Sequence, residues 1–462
     1  MKNTVLIILA LLLQMTAKTQ VTFEKIITKG SIETGWSVIQ TSDGGYAFLG
    51  SLGATPSYDR WLVKTDHLGD TVWTKTFPGI GYDNGDRSLV QAADGGFTFI
   101  ANRNGKADLL HVSSSGDSLW EKELFSGIGI SIAPASNQGY VVTGRNSIGP
   151  VIHIALAGQG GDLVWARAFK PVGDNSTGCK SWTVCELPTN DFIVAGEIES
   201  NYFYNTPFIM KIGAAGDSVW CRSYAWFMDA TIFSADTAGN GDFFVGGIGH
   251  HANPNTVLMR MNASGDTVWT RAPLLVGNQF FNSIRSTGDG GVLGCGSNGN
   301  TSDSNRVYLV KYSASGSLSW QRTFGNYKNS YGLSINSTAD NGYIICGQVQ
   351  QTTTSGQHGL LIKTDANGNF AGIENHIAEK GCYFYPNPAS EITTLSLGSI
   401  SNGNPVLIRL HDLFGREVKT SQTSQVMKVY TLEVTDLPDG VYLAAIESDG
   451  RVIGRAKLVK HQ

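Results

Sequence analysis

The chain is short of charge. Only 16 % of its 462 residues are Asp, Glu, Lys or Arg, against roughly 25 % in an ordinary soluble domain. A formal net charge of −4 offers no basic footprint, so nucleic acid is not an expected partner. Long apolar runs are also missing. The longest, Val5 to Leu13, falls well short of the roughly 20 residues that a membrane-spanning helix needs. Six cysteines, Cys179, Cys185, Cys221, Cys295, Cys346 and Cys382, form no CxxC and no zinc-type spacing with histidine. Cys179 and Cys185 could pair across a turn, although nothing in the sequence forces it. HExxH, GxSxG, Walker, EF-hand and Rossmann patterns are absent, so no cofactor or metal site is read from the sequence.

The first twenty residues, with Lys2 ahead of the apolar run and a polar stretch around Ala17, read as a secretory signal peptide. The remaining length exceeds what one ordinary core supports. Glycine is abundant, at 56 residues, and with the low charge it fits a turn-rich all-β chain.

A Gly-x-x-x-Trp motif recurs down most of the length. Its tryptophans are Trp73, Trp120, Trp165, Trp220, Trp269 and Trp320, spaced 47, 45, 55, 49 and 51 residues apart. A period near 50 with short β-like segments reads as propeller blades. In the first copy, Gly35 to Gln40, Tyr46 to Gly50, Asp59 to Thr65 and Thr71 to Phe77 are four strands. Two tight turns, Ser42-Asp43-Gly44-Gly45 and Asp66-His67-Leu68-Gly69, join them in pairs, with Asp bonding its own backbone and Gly supplying positive φ. The second-strand turn occurs seven times, but the Trp strand only six. Val21 to Ile27 precedes the first copy as a Trp strand should, with Phe23 where Trp would stand. That segment is expected to complete the last blade beside residues 358–365, giving seven blades. The Asp-x-x-Gly-x-x-x-Trp turn resembles the tryptophan docking motif of quinoprotein-type propellers and, more loosely, the Asp-box of sialidase-like ones. The resemblance implies that the six tryptophans are structural, with the Trp strand outermost and the Gly-x-Ser-Val strand on the axis. Active quinoproteins carry an adjacent Cys-Cys pair and eight repeats; neither is found here, so their chemistry is not expected.

The tail does not share the repeat. It opens on Tyr385-Pro386-Asn387-Pro388-Ala389 and continues through Asp412-Leu413-Phe414-Gly415-Arg416-Glu417-Val418. A strand from Leu432 to Leu437 runs into Pro438-Asp439-Gly440-Val441-Tyr442-Leu443, and the chain closes on Lys457-Leu458-Val459-Lys460. In this order, at the chain's extreme end, these motifs resemble the type A C-terminal sorting domain of the bacterial type IX secretion system. The resemblance implies an immunoglobulin-like β-sandwich that engages the type IX machinery and crosses the outer membrane. It also implies removal of the domain, attachment to surface lipopolysaccharide and a Bacteroidota-type source. The expected organisation is a signal peptide (1–20), a propeller (21–370), a linker (371–381) and a sorting domain (382–462).

Irregularity marks a candidate ligand site, because a repeat keeps what its scaffold needs. The fourth repeat inserts Glu199 to Asn205 before its third strand and is followed by Tyr224 to Asp229. Tyr202, Tyr204 and Trp226 are therefore the candidate contacts for carbohydrate or peptide. Asp59, Asp108, Glu197, Glu199 and Asp229 are the non-repeating carboxylates from which a hydrolase would draw an acid–base pair. His250-His251 point to opposite faces if on a strand, which argues against a shared metal. The expected function is binding or adhesion to a polysaccharide or a surface protein. A polysaccharide-degrading enzyme with its carboxylates on the axial face and a structural surface-layer component are the rivals.

Overall fold

The computed structural model describes residues 20–461 except 31, 54–57, 79–87, 147–148, 172–175, 201–204, 225–229, 250–255, 273–277, 300–304, 326, 328, 353–355, 370–382, 386, 388, 398–404, 413–415, 423–428 and 449–450. Every regular element among the described residues is a strand. The chain divides into two compact units, residues 1–371 and 372–462.

The first unit is a seven-bladed β-propeller. Six blades are four-stranded antiparallel sheets laid down in chain order. The first blade comprises Glu33–Gln40, Tyr46–Leu52, Asp59–Thr65 and Thr71–Phe77. The seventh is assembled from both ends of the unit. Asn329–Ser337, Tyr343–Gln350 and Gln357–Thr364 are followed by Phe23–Ile27, with Phe23 opposite Lys363 and Ile27 opposite Gly359. Ring closure thus uses main-chain hydrogen bonds and leaves the last sheet without a missing strand.

Burial follows position in the blade. The two middle strands are covered on both faces by adjacent blades, which is why they read as continuous apolar runs. In the first blade all but one residue of Tyr46–Leu52 and of Asp59–Thr65 is buried. The outermost strand, Thr71–Phe77, is half-exposed instead. The cores are inter-blade. One cluster joins Phe48, Trp61 and Val63 of the first blade to Ile344, Cys346 and Leu361 of the seventh.

The Gly-x-x-x-Trp motif stitches blade to blade around the rim. Each Trp lies under the motif's glycine in the next blade: Trp73 under Gly116, Trp120 under Gly161, Trp165 under Gly216, Trp220 under Gly265, Trp269 under Gly316 and Trp320 under Gly368. Phe23 lies under Gly69 and closes the circle. Gly116 has φ +83°, and a Cβ there would stand 3.0 Å from the Trp73 ring, so both backbone and space demand glycine. The indole Nε1 of Trp165 donates to the Ala214 carbonyl at 3.1 Å, and that of Trp269 to Ala314 at 3.0 Å. Two residues past the aromatic, a cation reaches the residue after the neighbouring glycine: Lys25–Asp70 at 2.6 Å, Lys75–Asp117 at 2.9 Å, Arg222–Asp266 at 2.6 Å.

The second unit packs a three-stranded sheet (Tyr383–Tyr385, Ile392–Ser396, Val429–Glu433) against a four-stranded one (Glu417–Gln422, Leu407–His411, Gly440–Ser448, Arg451–Lys460). Leu395, Tyr430 and Leu432 from one sheet meet Ile408, Leu410, Ile446 and Leu458 from the other in a single core, a β-sandwich. The strand expected from Leu432 to Leu437 begins earlier and ends at Glu433. Val434 to Leu437 forms a turn, with the Leu437 N–H donating to the Val434 carbonyl at 3.1 Å.

Candidate binding site on the propeller axis

Each blade's first strand is an edge strand, so it would present unpaired N–H groups toward the axis. The sequence places a hydroxyl there in every repeat: Ser37, Ser88, Ser131, Thr183, Ser234, Ser283 and Ser334. In six blades a β-bulge sits just before this position, between Gly35 and Ser37 in the first and between Ile232 and Ser234 in the fifth, for example. The bulge re-aims the hydroxyl at the next blade. Ser334 accepts from Val38 N at 3.3 Å, Thr183 from Ala235 N at 3.1 Å, Ser234 from Ile284 N at 3.1 Å and Ser283 from Ile335 N at 3.4 Å.

Below this row the seven inner strands enclose a cavity of about 510 Å³, inside the range of about 300–1,000 Å³ usual for small-molecule sites. Its mouth carries Gln40, Gln91 and Glu186, each reaching back to the preceding blade. Gln40 accepts from Ala339 N at 2.7 Å, Gln91 from Ser42 N at 2.8 Å, and Glu186 from both Ser136 N and Ser136 Oγ, at 2.7 and 2.8 Å. Asp236 and Arg285 face the cavity from the fifth and sixth blades. Asp236 Oδ2 accepts from Ser286 N at 2.7 Å and Ser286 Oγ at 2.8 Å.

At the other end of the inner strands the fourth blade holds a charged cluster. Lys180 pairs with Glu199 and lies 3.5 Å from Glu197. Glu197 is buried and accepts from Asn205 Nδ2 at 2.9 Å and Thr231 Oγ1 at 2.5 Å, the latter on the fifth blade. Lys180 Nζ also stands 5.9 Å from the Trp182 ring centre. Two of the non-repeating carboxylates are therefore brought together around one lysine. Asp108 is elsewhere, on the third strand of the second blade, and Asp59 begins the third strand of the first. Tyr202, Tyr204, Trp226, Asp229 and the pair His250-His251 lie outside the described residues.

The turn aspartates have partners that the sequence reading did not assign. Asp43 pairs with Lys64 at 2.8 Å, Asp289 with Lys311 at 2.7 Å and Asp340 with Lys363 at 2.9 Å. Burial pushes the Asp43 carboxyl up, but hydrogen bonds from Lys64, Thr41 and Gly45 outweigh it and hold it down to about 2. In the fourth and fifth blades the acid sits two residues later, as Asp191 and Asp242, yet still reaches Lys211 and Arg260, each at 2.9 Å. The third blade has lost both partners together, with Asn137 in the turn and Leu156 on the strand. Stacking the repeats shows both this pairing and the hydroxyl row. Cys179, Cys185 and Cys346 are free thiols, and burial pushes that of Cys179 up to about 12.

In the second unit, Asn387 Nδ2 donates to the Lys457 carbonyl at 2.7 Å, and Val459 N donates to Asn387 Oδ1 at 2.8 Å. The Ala389 N–H donates to the Val459 carbonyl at 2.8 Å, and that of His461 to the Ala389 carbonyl at 3.0 Å. The opening motif is thus laced to the final strand. Tyr442 OH donates to the Pro438 carbonyl at 2.6 Å across the turn at Gly440, and Lys460 lies 3.6 Å from Asp439. Tyr385 ends a strand; Pro386, Pro388 and Gly415 lie outside the described residues.

Residues 383–461 match the secretion system C-terminal sorting domain. The chain is therefore exported across the outer membrane, to the cell surface or the medium, and its sorting domain engages the type IX secretion machinery. No curated protein matches the chain. Similar solved structures include a streptogramin B lyase (11 % identity, 74 % of this chain and 98 % of that one, TM-score 0.48). A second is the β-propeller domain of the Trilobed protease from Pyrococcus furiosus (9 %, 74 % and 100 %, 0.45). A third is a protein of unknown function from Bacteroides caccae (13 %, 64 % and 94 %, 0.40). At these identities and scores nothing about activity follows from them.

Proposed function

We propose that the propeller is a binding module that works outside the cell and takes a polysaccharide in its axial cavity. The observation that carries this reading is the cavity itself, lined by the hydroxyl-bearing residues of six blades and walled by the inner strands of all seven. The two carboxylates that line it, Asp236 and Glu186, already accept hydrogen bonds from serines of adjacent blades. That engagement favours holding a ligand over cleaving one, since a general acid or base must be free to exchange a proton with its substrate. The screen that tests the reading is retention of the purified full-length chain on a polysaccharide panel, with released products assayed in the same wells. Retention without products supports a binding module. Products would replace it with a degrading enzyme, and silence in both channels would favour a protein partner or a structural surface role.

The finer steps of export belong to the same proposal. Residues 1–20 act as a signal peptide, residues 371–381 carry the processing site, and the released propeller is attached to lipopolysaccharide of a Bacteroidota-type cell. Mass spectrometry of the exported protein tests this: an intact N-terminus or an intact tail would contradict the corresponding cleavage.

A further inference from the structure

The cavity is not uniform around its ring. One level below the hydroxyl row, the first four blades contribute Ile39, Val90, Ala133 and Cys185. The last three contribute Asp236, Arg285 and Asn336 at the same level. One arc of the wall is apolar and the other polar.

The polar arc has donors left over and few acceptors. Asp236 has its Oδ2 held by Ser286 and its Oδ1 by the Thr237 N–H at 3.0 Å. Arg285 is different. It forms an ion pair with Asp236, whose Oδ1 stands 3.6 Å from Nη1 and so beyond hydrogen-bond distance; its side chain is 36 % exposed, and its buried Nε has no hydrogen-bond partner among the described residues. Ser234, Ser283 and Ser334 each accept a backbone N–H and so retain an O–H to donate. The two terminal nitrogens of the partly exposed guanidinium make no hydrogen bond among the described residues, so an acceptor brought into the cavity by a ligand would find donors there.

We infer that the axial cavity takes its ligand by a carboxylate, held by Arg285 with help from the hydroxyls of Ser234 and Ser283, while the rest of the ligand lies on the apolar arc. This rests on the binding-module reading and names the chemistry of its ligand. A planar guanidinium fork matches a carboxylate through two parallel hydrogen bonds, which a neutral hydroxyl cannot do. The apolar arc suits the C–H face of a sugar ring, so the source on a polysaccharide is a uronic acid residue. A free organic acid is the other source of the same chemistry.

The test is calorimetry on the full-length chain with digalacturonate, the matching neutral disaccharide and benzoate. Digalacturonate is expected to bind at least tenfold more tightly than the neutral sugar and to weaken with salt. Arg285→Met should lose at least tenfold of that affinity, with Arg285→Lys, which keeps the charge but not the fork, in between. Asp236→Asn removes the competing carboxylate and should tighten binding several-fold, so the two sites respond with opposite signs. Because Arg285→Lys and Asp236→Asn preserve size, they decide the matter even if Arg285→Met does not fold. Binding of benzoate alone would keep the carboxylate assignment and give the source as a free acid. Equal binding of the neutral sugar, or indifference to Arg285, would overturn the inference and leave the binding module standing. No binding of any probe would also overturn it, and the retention screen, which is blind to charge, would then decide the module itself.

Discussion

At the residue scale, the ionisable groups of the blades divide into paired and stranded ones. Asp108 is the clearest of the second kind. Burial, then the nearby Glu121 and Glu123, push its carboxyl up to about 6 from an ordinary 3.8. A raised acid stabilises the fold fully below its unfolded value and loses that contribution as the pH rises through the folded one. Asp108→Asn should therefore raise the unfolding temperature at pH 7.5 and leave it nearly unchanged at pH 4; an equal shift at both would show that the carboxyl is not stranded. Lys363 is the clearest of the first kind. Its side chain is 0 % exposed, and it donates to both Asp340 oxygens and to the Thr364 carbonyl. Burial lowers its pKa while Asp340 draws it back. Asp340→Asn leaves a buried ammonium without its counter-charge and should cost about 3–5 kcal/mol. The third blade shows the remedy, since it carries Asn and Leu at the matching positions. Asp340→Asn with Lys363→Leu should thus cost less than Asp340→Asn alone, measured by urea unfolding. A double variant that costs the sum of the two singles would mean the pair is not coupled.

At the element scale, the motif that stands out in the sequence is one half of an inter-blade contact whose other half is the same motif in the next blade. Trp73 meets Gly116, and Phe23 meets Gly69. Phe23→Ala should remove the contact that seals the ring and cost about 3–5 kcal/mol, whereas Phe23→Trp should be tolerated. If Phe23→Ala melted like the parent chain, the N-terminal strand would not be a working part of the closure. In the sorting domain, Asn387 fixes the opening segment to the final strand through two main-chain bonds. Asn387→Ala should cost about 1–3 kcal/mol and speed amide exchange along Arg451–Lys460; unchanged exchange there would count against it. Much of this was legible in the sequence. The period near 50 gave the blades, and Phe23 gave the closure, because both depend on local patterns repeated along the chain. The cation facing each turn aspartate was not, since it lies about twenty residues away and, in the fourth and fifth blades, its acid partner shifts by two. The end of the strand at Glu433 was missed because Val434, buried in the sandwich core, continues the apolar alternation of Tyr430 and Leu432 into what is a turn.

At the scale of the whole molecule, repetition builds a scaffold and departures from it supply the chemistry. The sequence pointed to the fourth repeat, whose inserted aromatics lie outside the described residues. It named the axis only for a rival enzyme's carboxylates and gave no sign of a cavity there, because a cavity shared by seven strands has no signature in any one of them. Asp236, Arg285 and Asn336, at the repeat position where the other four blades carry apolar residues, mark it. Export is carried by the sorting domain, so loss of residues 382–462 should strand the protein in the periplasm; normal export of that truncation would contradict the sorting assignment. The binding claim is tested most directly by filling the cavity. Ala133 lies on its apolar arc, and Ala133→Trp would set an indole ring into the space where the ligand is proposed to lie. Retention of the full-length chain on its polysaccharide should then be lost while the unfolding midpoint stays within a few degrees of the parent. Undiminished retention by the filled variant would place the binding surface away from the axis and contradict the account.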